Sequence, residues 1–283
     1  MERSPDSQDT LPMAGVASMG KAQFDKFRSL VFQLSGIHLA DNKQALVIAR
    51  ISKRMRALGI GDYGAYYDHV LGDRTGGELT HLINAISTNV THFFRESRHF
   101  DVLAEWVRAW EREGRTSLRL WCAASSTGEE PYSIAMTVLE HLTRSIRVDI
   151  VASDISTRVL DAARKGIFRR QDVERIPQQL LRKYFQVGGD ADELFRVKPV
   201  LSDMVSYRQI NLSTPPYPVQ GDLDAIFCRN VMIYFTQDLR RQIVGEFQRM
   251  LRPGGYLVVG MAESLSAAKH DLQPVEPSVY RKP

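Results

Sequence analysis

LRLWCAASSTGEEPYSIAM, residues 118–136, passes from an apolar run through a Ser/Gly turn into a helix that opens on two acids and a proline. The apolar run reads as a buried strand. Glu129, Glu130 and Pro131 suit a helix start, where negative charge meets unpaired N–H groups and a missing N–H costs nothing. The same grammar repeats downstream. VDIVASD is a strand, and STRVLDAARKG a helix with a Ser cap and a Gly stop. MVSYRQINL and DLDAIFCRN are strands, TQDLRRQIVGEFQRML is a helix ended by RPGG, and YLVVGMAE is a further strand. SVYRK closes the chain as a short strand suited to antiparallel pairing with the one before it. Strand-helix alternation predicts a doubly wound parallel α/β sheet.

One stretch interrupts the alternation. Residues 168 to about 204 are too long for a plain connection. They hold a Gly-Gly-Asp turn between KYFQV and LFRVK, which predicts a small antiparallel hairpin inserted in the sheet domain. Upstream of 118 the pattern is helical. Phe24, Phe27, Leu30, Val31 and Leu34 recur at three- and four-residue steps, and Gly36 stops the run. Val47, Ile48, Ile51, Met55 and Leu58 share one face of a second helix, with Arg50, Lys53, Arg54 and Arg56 on the opposite arc. Two more helices, about 63–71 and 77–86, complete an all-α unit. The expected organisation is a disordered tail over 1–19, a helical domain over 20–90, a linker helix over 91–114, and the α/β domain over 115–283 with its insertion at about 168–204.

Composition excludes several classes. The chain has 283 residues, 43% hydrophobic and 25% charged, with a net charge of +4. That is an ordinary globular balance, and the charge is too small to demand a nucleic-acid partner. The two cysteines, Cys122 and Cys228, lie in apolar runs without metal-ligand spacing, so neither a disulfide framework nor a metal site is expected. The polar N-terminus lacks a signal-peptide core, and no apolar run reaches the ~20 residues of a membrane span. A cytoplasmic protein with no membrane insertion is expected.

The chemistry is expected at the carboxyl ends of the strands, where doubly wound sheets bind ligands. The small residues of 123–128 would let a ligand approach the backbone. Neither the glycine pattern of nicotinamide binding nor that of a phosphate loop is present. Glu129 and Glu130 stand where a pyrophosphate would otherwise sit. They would repel an anion and favour a cation, such as the sulfonium and ammonium of S-adenosylmethionine; a tight turn with no ligand fits the same residues. Asp154 ends the second strand, where an acid grips ribose hydroxyls. It could instead cap a helix, but Ser156 can take that duty. AIFCRNVMIYFT, residues 225–236, puts Arg229 and Asn230 at the rim of the same site, with Tyr234 either in the core or against the acceptor. STPPY, residues 213–217, resembles the Pro-Pro-Tyr box of amino-group DNA methyltransferases. It lacks the preceding amide or carboxylate and precedes its strand, so it reads as an ordinary loop.

WCAASSTGEEPYSIAM, AIFCRNVMIYF and TNVTHFFRE, joined to a helical N-terminal domain, resemble the CheR chemotaxis-receptor methyltransferases over about residues 20–283. The LRPGGYLVVG turn and strand is also common near the end of class I methyltransferase domains. The resemblance implies a class I methyltransferase doubly wound sheet with a small N-terminal all-α domain and an inserted antiparallel β-subdomain. It implies transfer of methyl from S-adenosylmethionine to glutamate side chains on chemoreceptor cytoplasmic helices, with S-adenosylhomocysteine as product. Carried onto this sequence, it puts Asn89, Thr91, Arg95, Glu129, Asp154, Asn211, Leu212, Arg229 and Asn230 around the cofactor. Arg95 and Tyr234 take the catalytic roles. The basic face Arg50, Lys53, Arg54 and Arg56 becomes the expected receptor contact, because methylation helices are acidic. In some members the inserted hairpin binds a receptor C-terminal tail peptide. Two other readings stay open here: a methyltransferase of small molecules or RNA with the helical unit as a lid, and a cofactor-sensing binding module.

Overall fold

Helical periodicity and strand alternation set out above are realised in a computed structural model, which describes residues 19–87, 89–188, 193–265 and 269–283. Of the tail expected over 1–19, all but Met19 lies outside the described residues, as does most of the Gly-Gly-Asp turn. The chain divides into two units. One runs to Val31 and resumes over Leu39–Ile86; the other takes Phe32–His38 and Ser87–Pro283.

The first unit is helical: most of α1 (Lys21–Ser35), a 3-10 turn (Asp41–Lys43), α2 (Gln44–Leu58), α3 (Tyr63–Gly72) and α4 (Gly77–Ile86). Phe24, Phe27, Leu30 and Val31 are buried together with Val47, Ile51 and Met55 of α2 and Leu82, Ile83 and Ile86 of α4. Each such side chain contributes about 1.5–3 kcal/mol on leaving water. Gly59, at φ +70°, ends α2 in the left-handed conformation that its missing Cβ makes accessible. Asp62 caps α3 by accepting the Ala65 N–H at 2.9 Å.

The second unit opens with α5 (Arg98–Arg112), preceded by an irregular stretch. Phe94 and Glu96 have φ of +54° and +55°, which no helix tolerates, so the expected linker helix starts only at Arg98. Then follow β1 (Ser117–Cys122), α6 (Glu129–His141), β2 (Arg147–Asp154), α7 (Thr157–Lys165), β3 (Ile167–Arg169), α8 (Arg170–Val173), α9 (Gln178–Tyr184), β4 (Phe185–Gly188), β5 (Leu194–Val197), α10 (Pro199–Ser202), β6 (Val205–Gln209), β7 (Leu223–Cys228), α11 (Gln237–Met250), β8 (Leu251–Val259), β9 (Gln273–Glu276) and β10 (Val279–Arg281).

The main sheet has the order β6-β2-β1-β7-β8-β10-β9. β6, β2, β1, β7 and β8 run parallel, and β10 pairs antiparallel with both β8 and β9. β3, β5 and β4 make a separate three-stranded antiparallel sheet. The doubly wound sheet, the all-α N-terminal unit and the inserted antiparallel sheet are therefore all present. β7 is buried at every residue, as a central parallel strand must be. From β1 the chain winds outward through β2 to β6, then crosses to β7 and β8 on the other side. The reversal lies between β1 and β7, which is where such sheets bind ligands.

Two details differ from expectation. RPGG does not separate α11 from its strand: β8 begins at Leu251 and carries Pro253, Gly254 and Gly255 within it, with a register shift against β7. A Cβ on Gly255 would lie 2.8 Å from the Leu223 carbonyl oxygen, so only glycine lets the bulged strand approach. β9, an exposed polar edge strand containing Pro274, has no alternation that would betray it.

Candidate functional site at the strand ends

A cleft of about 810 Å³, counting its open mouth, lies at the carboxyl ends of β1, β2 and β7. That is within the size range of small-molecule sites. All of its lining belongs to the second unit. Asn89, Thr91, Arg95, Asp154, Asn211, Leu212, Arg229, Asn230 and Tyr234 all face it, as the sequence reading expects. They come from four separate stretches of chain.

The floor is the turn after β1. Ala123 donates its N–H to the Phe227 carbonyl at 2.7 Å, and Ser125 donates to the Ser153 carbonyl at 2.8 Å, so the turn is tied to the strands on either side. Gly128 has φ +105°, and a Cβ there would press on Ala163 at 3.1 Å and Tyr132 at 3.2 Å. Asp154 accepts the Ser126 N–H at 3.0 Å on one oxygen and the Ser156 N–H at 2.9 Å on the other. Ser156 itself caps α7 through the Val159 N–H at 3.4 Å. Burial pushes the Asp154 carboxyl up, against the pull of the Ser156 and Ser126 N–H groups.

The two acids at the start of α6 are placed differently. Glu129 stands outside the cleft lining, and its carboxylate accepts the Thr127 hydroxyl at 2.7 Å. Glu130 lines it instead. Successive helix residues point in different directions, so the two acids do not share one environment. The Glu130 carboxyl is pushed up by burial, opposed by Arg229. Its Oε1 lies 3.3 Å from Arg229 Nη1 yet makes no hydrogen bond.

Arg229 is buried and sits between two acids. Nη2 donates to Glu96 at 3.0 Å and to the Arg95 carbonyl, and the guanidinium lies 5.6 Å over the Phe100 ring. Its Nε has no hydrogen-bond partner. Glu96, which sequence reasoning missed, also accepts Asn230 Nδ2 at 3.2 Å and the Met261 N–H at 3.2 Å. Burial works against the Glu96 charge, but Asn230 and Arg229 outweigh it and hold the carboxyl below its usual range. His99 stands 3.5 Å from Glu96 and donates to or accepts from Ser278 at 2.7 Å. Burial, with Arg229 nearby, lowers its pKa to about 4, so the ring is neutral at pH 7.

A further wall comes from residues 32–38, where the sequence offers only a helix stop. Ser35 and Ile37 line the cleft. Asn211 donates its amide to the Leu34 carbonyl at 2.7 Å, and His38 donates its N–H to the Tyr234 carbonyl at 2.8 Å. Gly36, at φ +70°, is obligatory: its Cβ would lie 2.3 Å from Leu239 Cδ2. Tyr217 of STPPY is structural, with its buried hydroxyl donating to the Leu212 carbonyl at 2.7 Å and its ring on Trp121.

The basic face of α2, in the first unit, differs from expectation. Arg54 is not a free contact. It grips the buried Glu78 with Nε at 2.9 Å and Nη2 at 2.7 Å, and the Tyr66 hydroxyl donates to the same carboxylate at 2.9 Å. The Arg54 hydrogen bonds hold Glu78 below its usual range despite burial. Arg50 donates to the Ile86 carbonyl at 2.7 Å. A helical wheel cannot see partners on another helix. Lys53 and Arg56 are the two that remain exposed.

Among the described residues lining the cleft there is no His, Cys or Lys. The buried Asn89 Nδ2 has no partner. With Glu130 Oε1 it leaves an acceptor and a donor unsatisfied beside the cleft, which suits a ligand carrying both an ammonium and acceptor atoms.

Two family models match the chain. The family model for the CheR methyltransferase SAM binding domain matches residues 89–281, and that for the CheR methyltransferase all-alpha domain matches residues 22–87. The chain is similar to a chemotaxis protein methyltransferase of Escherichia coli, at 42% identity over 90% of this chain and 89% of that one. It is similar to chemotaxis protein methyltransferase 2 of Pseudomonas aeruginosa, at 42% identity over 92% of each chain. A relative in Salmonella typhimurium is also 42% identical, over 90% of this chain and 88% of that one.

Proposed function

The chain belongs to the CheR methyltransferase family and is an S-adenosylmethionine-dependent methyltransferase, and from that premise we propose that it esterifies glutamate side chains on the cytoplasmic helices of a chemoreceptor. The observation that carries this reading is a cleft with carboxylates on its inner wall, Arg95 and Tyr234 on its lining, and no His, Cys or Lys among the lining residues described. S-adenosylmethionine supplies an electrophilic methyl on a sulfonium. Glu130 would face its ammonium, Asp154 its ribose, and Asn211 and Leu212 its adenine.

A glutamate acceptor has a pKa near ~4.3 and is ionised at neutral pH. Its oxygen is already a nucleophile, so no group need remove a proton. Asp154 is occupied by two N–H donors, and Glu130 is ion-paired with Arg229 while its Oε1 stays open to the ligand's ammonium, which fits binding and electrostatic roles better than that of a base. What this chain's residues must do is orient and desolvate. Arg95 donates Nη1 to the Val90 carbonyl at 2.8 Å, leaving further N–H groups of its planar fork for the acceptor carboxylate. Tyr234 would place its ring edge and hydroxyl beside the transferring methyl.

The partner under this reading is a chemoreceptor cytoplasmic domain. Lys53 and Arg56 are the exposed cations that would meet its acidic helices, and β4, an outer strand of the small sheet, is where a receptor tail peptide would add. The test is incubation with labelled S-adenosylmethionine and receptor-bearing membranes. Label released as methanol by mild alkali is expected; alkali-stable label, or none, would rule out a carboxyl ester.

A further inference from the structure

Glu263, in the segment after β8, is 6% exposed and does not line the cleft. Its Oε2 accepts the N–H of Asn230 at 2.8 Å and of Gly260 at 2.6 Å, and its Oε1 accepts the N–H of Ile233 at 3.2 Å. Those donors lie just past the end of β7, just past the end of β8, and in the 3-10 turn that carries Tyr234. One carboxylate thus ties both strand ends to the turn bearing the ligand-facing residues.

The turn requires such a tie. Asn230 has φ +58°, a conformation that a residue with a Cβ keeps only when its surroundings hold it. Two carboxylates do so: Glu263 takes its main-chain N–H, and Glu96 takes its side-chain amide at 3.2 Å. Gly260 completes the fit, since a Cβ there would lie 2.6 Å from Asn230 Nδ2 and 2.8 Å from Glu263 Oε2.

We infer that Glu263 is a positioning residue of the methyl-transfer site, acting through Asn230 and the turn of Tyr234 without touching cofactor or acceptor. The inference rests on the reading of the cleft as the cofactor site. Glu263→Gln keeps the volume but turns an NH2 toward at least one N–H donor, so the clamp loses part of its hold.

The experiment is calorimetric binding of S-adenosylhomocysteine to the full chain for wild type, E263Q, N230A and the double variant, with thermal melts and kcat and KM for the cofactor. Each single change is expected to weaken binding about tenfold, and the double variant to be no more than about twofold weaker than N230A, because both act through one residue. E263Q is expected to lower kcat as well as raise KM, through the Tyr234 turn. N230A weakened with E263Q at wild-type affinity would overturn the inference alone, as would losses that multiply to about a hundredfold. N230A at wild-type affinity would overturn the cleft reading and the inference with it. If E263Q shows no cooperative melt, Glu263→Asp, which keeps the charge and shortens the reach, is measured in its place against the same outcomes.

Discussion

Two arginines, one in each unit, meet buried carboxylates, and only one of them leaves anything over. In the helical unit Arg54 and Tyr66 fill both oxygens of Glu78. At the strand ends Arg229 lies between Glu96 and Glu130, yet its Nε and Glu130 Oε1 make no hydrogen bond. A satisfied ion pair fixes a fold. An incompletely satisfied one at a cleft wall is a place for a ligand to complete. The difference separates a structural charge from a functional one where sequence shows only Arg and Glu in both places.

The largest test of that contrast removes each arginine. Arg229→Met leaves Glu96 and Glu130 facing each other unneutralised; turnover and S-adenosylhomocysteine binding should both fall by at least about a hundredfold, at a stability cost of about 3–5 kcal/mol. Arg54→Met should cost about 2–3 kcal/mol, less because Arg54 is partly exposed, and leave cofactor affinity within about twofold in the folded protein. Thermal melts and calorimetry on both variants decide it. If Arg54→Met impaired cofactor binding as deeply as Arg229→Met, the contrast would collapse.

The next test is finer, because it separates neighbours. Glu130→Gln should weaken cofactor binding about tenfold or more, since a charge-assisted hydrogen bond is lost, whereas Glu129→Gln should change it less than about threefold. The reverse order would restore the assignment of Glu129.

The acids also set a pH dependence. Burial raises the Glu130 and Asp154 carboxyls, while Arg229 and Arg95 pull Glu130 down and Glu96 pushes it up. An ammonium binds the ionised form, so affinity should fall as pH falls, starting above the ordinary carboxylate value of 4.5. Glu130→Gln should flatten that fall. For the unliganded fold the sign is opposite: a raised carboxyl contributes most below its unfolded pKa, and the contribution is lost as pH rises through its folded one. His99, with a pKa of about 4, titrates lower and beside Glu96, so the Glu130→Gln comparison separates the two.

The smallest effect is expected on the helix face. Lys53→Glu with Arg56→Glu should raise KM for receptor about threefold to tenfold at low salt, less at high salt, with cofactor affinity unchanged. No change at low salt would leave α2 without a receptor role.

Legibility in the sequence followed the range of the interaction. Strand-helix alternation, the Ser156 cap, the Gly166 stop and the three-to-four spacing of Phe24, Phe27, Leu30 and Val31 are local, and they placed most elements. The strand-end rule then placed Asp154, Arg229 and Asn230, because topology alone decides which residues reach the cleft. What stayed hidden depends on partners far along the chain. Arg54 and Glu78 are 24 residues apart, and Asn230 and Glu263 are 33 apart. Ser35 and Ile37 join the cleft only because Asn211 and Tyr234 hold that segment there. Glu129 and Glu130 are alike as letters; the helix rotation that selects one is set by packing.

The most direct measurement of the central claim is a crystal structure of the chain with bound S-adenosylhomocysteine. The ligand is expected between Ala123, Asp154 and Asn230, with its ammonium within hydrogen-bonding distance of Glu130. Ligand bound elsewhere with that cleft empty, or an ammonium facing away from Glu130, would contradict it.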